Sequence, residues 1–181
     1  DAVSKYTLSV LPLFVLMGNL ANSANLSRNL YDAAYAVVGH YKGGLAMSTV
    51  GACAGFGMIC GSSIATAATM SQMAGPEMKR HGYSDALISG SIASGGTLGI
   101  IIPPSVILVI YAYLTEQSVQ ELFFAALIPG LIAVVLYMIA IRVYLIIYPS
   151  HGGHGNKMPL NERISAITKV FPIFLIFAII M

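Results

Sequence analysis

Residues 52–71 read ACAGFGMICGSSIATAATMS, and residues 95–105 echo them with GGTLGIIIPPS. Both stretches are apolar enough to lie at bilayer depth. Each is nevertheless interrupted by Gly, Ser, Thr or Pro where an ordinary spanning helix would run on. An interrupted helix exposes backbone amides and carbonyls, which are costly in hydrocarbon unless buried in protein or lining a site. Breaks of this kind mark the ion or substrate sites of transporters. Small residues also let helices pack closely, and for either stretch alone the two readings carry equal weight. Two breaks in neighbouring segments favour the site.

Composition sets the class. Of 181 residues, 57% are hydrophobic and 9% charged, with a mean hydropathy of +0.80, whereas a soluble domain carries roughly a quarter charged residues. The chain is therefore an all-α integral membrane protein. A net charge of +2 gives no ground for a nucleic-acid partner, and the Lys and Arg residues are spaced as topology signals. Cys53 and Cys60 lie seven apart, on one helix face but too distant to bridge, and read as small buried apolar residues. A start at Asp1 and an end at Met181, inside an apolar run (170–181) too short to cross, predict a piece of a longer chain. No charged segment with a cleavage site precedes the first apolar run, so no signal peptide is expected.

In chain order, residues 1–44 hold a first spanning helix, Tyr6–Ala24, tolerant of Pro12, with a more polar extension to Val38 and a GHYKGG turn. Residues 45–83 hold two apolar arms, Leu45–Cys60 and Ile64–Arg80, neither comfortably long enough to cross. Lys42 precedes them and Lys79, Arg80 and His81 follow, so both ends belong on the cytoplasmic side. The arms predict a re-entrant hairpin turning at Gly61–Ser63; the alternative is one long kinked spanning helix. Residues 84–115 form a helix broken around Gly95–Ser105. Pro103 and Pro104 lack amide hydrogens and leave carbonyls one turn earlier without partners. Residues 116–148 give an acidic external loop and a returning span, Ala125–Tyr148. Residues 149–169 form a polar linker with an amphipathic helix around Leu160–Thr168, and residues 170–181 begin another span. In this topology eight of the nine Lys and Arg residues lie inside, Lys5 being the exception.

No soluble-enzyme constellation survives this placement. His151 and His154, spaced HGGH, have no Cys, Asp or Glu nearby to complete a metal site. Ser62 and Ser63 have no Lys, His, Asp or Glu at bilayer depth to serve as a base, and suit the role of oxygen ligands better than that of nucleophiles. Two other classes remain for comparison: an intramembrane Ser-dependent enzyme and a non-transporting structural subunit whose small residues only pack.

A series of marks runs in order along the chain: Gly43-Gly44-Leu45, Gly61-Ser62-Ser63 with Ala65-Thr66, Pro76 with Met78, and Gly82-Tyr83. It continues with Gly99 before Ile102-Pro103-Pro104-Ser105, Tyr111, Ser118 before Leu122-Phe123, and Pro129-Gly130. The series resembles the large membrane subunit of tripartite ATP-independent periplasmic (TRAP) transporters, the DctM-like family, with Cys60 standing where Ser is expected. The resemblance implies a Na+-driven symport permease, not an enzyme, that imports a small organic anion, a dicarboxylate, other carboxylate or sugar acid. It implies a multi-pass place in a bacterial or archaeal inner membrane, a small membrane subunit and a periplasmic binding protein as partners, and no cofactor beyond Na+ as coupling ion. It also implies two inverted repeats working as an elevator, of which this chain supplies the first.

The residues agree with that mechanism. A hard cation takes oxygen ligands, and unwound backbone offers them without a buried carboxylate. The expected Na+ site comprises Ser62, Ser63 and Thr66 with carbonyls around Gly95, Gly96 and Gly99. The expected substrate contacts are Ser62, Ser63, Ile64, Pro104 and Ser105, near the positive end of the second arm. The tip is expected to face the broken helix. Cysteines at positions 42 and 80, in a Cys-free background, should be labelled by an impermeant maleimide from the cytoplasmic face alone. Labelling from opposite faces would sink the hairpin.

Overall fold

The structure is a computed structural model that describes residues 16, 20, 26–153, 155 and 158–180. The span expected over Tyr6–Ala24 lies outside them except at residues 16 and 20, as do His154 of the HGGH pair and Lys157 of the linker. Among the described residues the protein is all-helical. The helices are α1 (Leu26–Val38), α2 (Gly44–Cys60), α3 (Ser63–Arg80), α4 (Asp85–Ile101), α5 (Val106–Thr115), α6 (Val119–Ile147) and α7 (Leu160–Ile180), with a 3-10 turn at Pro149–His151.

Local chemistry sets the helix ends. Ser62, Ser84 and Ser118 each stand at an N-cap, their hydroxyls accepting from the amides of Ala65, Leu87 and Glu121. Glu121, three residues after Ser118, completes a capping-box sequence. Lys79 and Arg80 occupy the last turn of α3, where cations complement the helix dipole. Gly61 ends α2 with φ +58°, a left-handed conformation that a side chain would strain.

α2 and α3 are antiparallel, and their far ends meet. The Leu45 amide donates to the Tyr83 hydroxyl at 3.2 Å, and the Thr49 hydroxyl contacts the Met78 sulfur at 3.6 Å. α2 is the centre of the molecule, with 14 of its 17 residues buried. On one side it packs Ala52, Cys53, Phe56 and Ile59 with Leu30 and Tyr31 of α1 and Met70 and Ala74 of α3. On the other, Leu45, Ala46 and Val50 pack with Leu98 of α4 and Ile141 and Leu145 of α6. An apolar helix without a polar face suits this central position.

The structure moves several boundaries. Ser63 is the first residue of α3, because Ser62 takes the cap, so the hairpin break is Gly61–Ser62 alone. Gly95, Gly96 and Gly99 lie inside the unbroken helix α4, and the second break is confined to residues 102–105, where Pro103 and Pro104 end the ladder. α4 and α5 are bent by 42° across it. The amphipathic segment at Leu160 and the apolar run after Lys169 join into one helix, α7. The last span begins six residues before Ala125, at the Ser118 cap, and carries Pro129 within it.

Among the described residues, α6 is the one helix long and apolar enough to cross a membrane, and α4 with α5 makes a second if the bent pair counts as one span. Its 29 residues extend about 44 Å at 1.5 Å per residue, against a hydrocarbon core of about 30 Å.

A close backbone approach joins α2 to α4. A Cβ placed on Gly57 would lie 2.5 Å from the Gly99 Cα. Gly57→Ala should therefore force the two helices apart, at the roughly 1–3 kcal/mol typical of overpacking. A lowered melting temperature of the purified transporter checks this; an unchanged one would mean that the contact yields freely.

Candidate ion and substrate site

The two helix breaks meet. A Cβ on Gly61 would lie 3.2 Å from the Val106 amide nitrogen, 3.3 Å from the Pro104 carbonyl oxygen and 3.4 Å from the Ser105 Cα. The hairpin tip thus rests on the gap between α4 and α5, where a side chain at position 61 would crowd the facing backbone and strain the left-handed φ. Gly99 sits beside the tip as well. A Cβ there would stand 2.8 Å from the Thr66 hydroxyl and 2.9 Å from the Ser62 carbonyl oxygen, and one on Gly96 3.3 Å from the Ser63 carbonyl oxygen.

Within the tip, the Ser62 carbonyl accepts from the Thr66 amide at 3.0 Å and the Thr66 hydroxyl at 2.7 Å. The fully buried Thr66 hydroxyl also lies 3.1 Å from the Cys60 sulfur. Cys60, Ser62 and Thr66 therefore knit the turn together. The Ser62 hydroxyl is occupied in capping α3. Among the described residues no hydrogen bond is made by the Ser63 hydroxyl or by the amides of Ser63 and Ile64.

Behind the tip lies Ser105, wholly buried, whose hydroxyl has no hydrogen-bond partner among the described residues. A buried hydroxyl without a partner carries a desolvation cost of about 1–3 kcal/mol. Two carbonyls are also released nearby. Gly99 and Ile100 stand four residues before Pro103 and Pro104, which have no amide hydrogen to donate.

The expected residues divide into three groups. Ser62, Ser63, Thr66, Gly96 and Gly99 gather at the tip. Gly95 does not join them: its Cα faces Cys53 and Val50 of α2. The carbonyls of Gly95 and Gly96 lie in intact helix and are committed to amides four residues on, so of the three glycines only Gly99 has a freed carbonyl. Among the substrate candidates, Ser62 and Ser63 are half-buried and Ile64 is 82% exposed, whereas Pro104 and Ser105 are buried behind Gly61. The five do not share one surface.

Three contributors escaped the sequence reading. Ile100 was legible, because Pro104 follows by four. Gly57, the partner of Gly99, and Cys60, the partner of Thr66, depend on contacts that no spacing encodes. His151 is engaged by aromatic neighbours, its Nδ1 2.7 Å from the Tyr144 hydroxyl and its ring stacked on Tyr148. Among the described residues no three His, Cys, Asp or Glu side chains cluster as a metal site would require.

Comparison with known proteins follows the same lines. Residues 1–181 match the sequence model of the family described as "Tripartite ATP-independent periplasmic transporter, DctM component". The chain is 40% identical over 160 residues to the C4-dicarboxylate TRAP transporter large permease protein DctM of Pseudomonas aeruginosa, covering 88% of this chain and 36% of that protein. It is 37% identical over 138 residues to the protein of the same name from Vibrio cholerae, covering 76% and 30%. It is 32% identical over 163 residues to the ectoine TRAP transporter large permease protein TeaC of Halomonas elongata, covering 89% and 37%. The chain thus spans about a third of the length of these relatives.

The contact between tip and broken helix is open to chemical test. A Cβ on Gly96 would lie 2.8 Å from the Ala67 Cβ, so cysteines at 67 and 96, with Cys53 and Cys60 replaced, should cross-link under mild oxidation. Cysteines at 67 and 90 should not, since Gly90 faces open space. Equal yields from the two pairs would refute the packing.

Proposed function

The chain belongs to the DctM family of large membrane subunits of tripartite ATP-independent periplasmic transporters, and from that membership we propose that it forms the first half of a Na+-coupled permease for a small organic anion. Its relatives are transporter permeases rather than enzymes. In this reading the protein is a multi-pass component of the bacterial inner membrane, works as an elevator with a second, inverted repeat, and is served by a small membrane subunit and a periplasmic binding protein. The hairpin enters from the cytoplasmic side. The substrate belongs to the carboxylates, consistent with the C4-dicarboxylate named for two of the relatives.

The observation that carries the proposal is the meeting of two helix breaks at Gly61, with the unpartnered Ser105 hydroxyl behind it. Backbone irregularity at membrane depth is tolerated where it is buried or lines a site. In this reading the freed carbonyls, hydroxyls and free amides beside the two breaks serve the site. We assign the cation to the oxygens of Ser63, Ser62 and Thr66 with the Gly99 carbonyl, all neutral, so that an occupied site is positive. The carboxylate then rests on the free amides of Ser63 and Ile64 at the positive end of α3, beside the cation. Each ion lowers the electrostatic cost of holding the other, which is the source of coupling. Ser105, Pro104 and Gly61 form the floor.

Thr66 has a second role on this page, because its hydroxyl already closes the tip on Ser62. Ser63 has no such duty, and is the cleaner probe. In proteoliposomes containing the complete transporter, Ser63→Ala should raise the Na+ concentration for half-maximal uptake by about 3–10-fold, the weight of one oxygen contact of roughly 1 kcal/mol, with normal expression. Thr66→Ala should raise it too and also lower the melting temperature. An unchanged Na+ dependence in both would make these residues packing elements and place the ion elsewhere.

A further inference from the structure

At the end of the bundle opposite the hairpin tip, the last turns of α6 lie against the turn before α2 and form a cleft of about 390 Å3 lined by Lys42, Arg142, Leu145, Ile146 and Pro149. Its charge is one-sided. Arg142 donates to the Lys42 carbonyl at 3.4 Å and its guanidinium lies 5.8 Å from the centre of the Tyr41 ring. Among the described residues neither Lys42 nor Arg142 has a carboxylate partner; the ion pairs present join Lys79 to Asp85, and Arg80 and His81 to Glu77. Two cations that line one cleft without an acid repel each other, and an anion between them removes the cost.

The other wall is hydrocarbon-like and continues away from the cleft. Ile146, Val143, Ile139 and Leu136 follow at helical spacing on α6 and are 72%, 48%, 51% and 57% exposed. The stripe runs about 15 Å at 1.5 Å per residue, from Arg142's end toward the middle of the one helix long enough to cross the membrane. Tyr41 and Tyr148, both exposed, flank the basic pair at the level where aromatic residues border a bilayer.

A ligand that suits both walls carries a negative head and an apolar tail. We propose that this cleft is a binding site for an anionic phospholipid of the cytoplasmic leaflet, its phosphate between Lys42 and Arg142 and an acyl chain along the Leu136–Ile146 stripe. Basic pockets beside membrane helices on the cytoplasmic side bind acidic headgroups in this way. The site also bears on the hairpin, because Lys42 directly precedes Gly43, whose amide is bonded to the Gly153 carbonyl at 3.2 Å. A lipid held there braces the base from which the hairpin springs.

The test uses the complete transporter in detergent, with phosphatidylglycerol, phosphatidylcholine and inorganic phosphate as separate probes and bound lipid counted by native mass spectrometry. Wild type should retain phosphatidylglycerol in preference to phosphatidylcholine. The Lys42→Gln, Arg142→Gln double variant should bind it about 10–30-fold more weakly, the worth of two basic contacts near a surface. The Lys42→Arg, Arg142→Lys exchange should retain it. In wild type alone, 1 M salt should release it, a measurement that needs no variant to fold. Equal retention of the two lipids, undiminished binding by the double variant, or displacement by millimolar inorganic phosphate would overturn the proposal. So would a cleft already filled by an acidic side chain of another subunit, which would leave no lipid preference to measure.

Discussion

Two helix backbones meet at Gly57 and Gly99 with no side chain between them, and the arrangement of the candidate site follows from that approach. Because α4 can lie against α2 at this distance, its C-terminal end reaches the hairpin turn, and the gap left by Pro103 and Pro104 falls beneath Gly61. A methyl group on Gly57 would push against the Gly99 backbone, and one on Gly99 would push against Ser62 and Thr66 of the turn. The carbonyls released by the prolines would then lack the enclosure that makes them tolerable in an apolar surrounding. Close glycine packing and exposed backbone oxygen are thus two aspects of one contact.

The opposite end of the hairpin is held by hydrogen bonds. The Tyr83 hydroxyl accepts from the Leu45 amide and donates to the Gly153 carbonyl, while the Gly43 and Ser84 amides donate to the carbonyls of Gly153 and His151. One short segment after α6 therefore ties down the start of α2 and the start of α4 together. The tip, by contrast, rests on van der Waals contact and a few local hydrogen bonds, and carries the exposed Ile64. The base is thus fixed by hydrogen bonds and the tip held mainly by packing. The same tie brings Lys42, Lys79, Arg80 and Arg142 to one end of the bundle, the distribution that basic residues show on a cytoplasmic face.

Much of this was legible in the residue order. The membrane class followed from the scarcity of charge, a hairpin turn from Gly61–Ser63, of which the structure keeps Gly61 and Ser62, and a second break from the stretch ending in Pro103-Pro104, because each depends on local backbone chemistry. The extent of the second break was not legible. Gly95 and Gly96 resemble helix breakers in isolation, but α2 and α3 press against them and the helix continues. Their role is to admit a neighbour, and which neighbour differs: Cys53 for Gly95, Ala67 for Gly96. Thr66 read as a free oxygen, yet its hydroxyl hydrogen is donated to the Ser62 carbonyl one turn back, so that only its lone pairs are left for a ligand.

The sequence by itself determined that this is a helical membrane protein with two interrupted segments, one at the Gly61-Ser62 turn and one at Pro103-Pro104. Those are properties of a few adjacent residues and of total composition. Only the tertiary structure decided that α2 is the buried centre, that Gly57 receives Gly99, and that the Ser105 hydroxyl is enclosed without a partner. The physical reason lies in α2 itself. A helix apolar on every side carries no face to point one way, so its neighbours are chosen by the fit of small residues on helices distant in the chain.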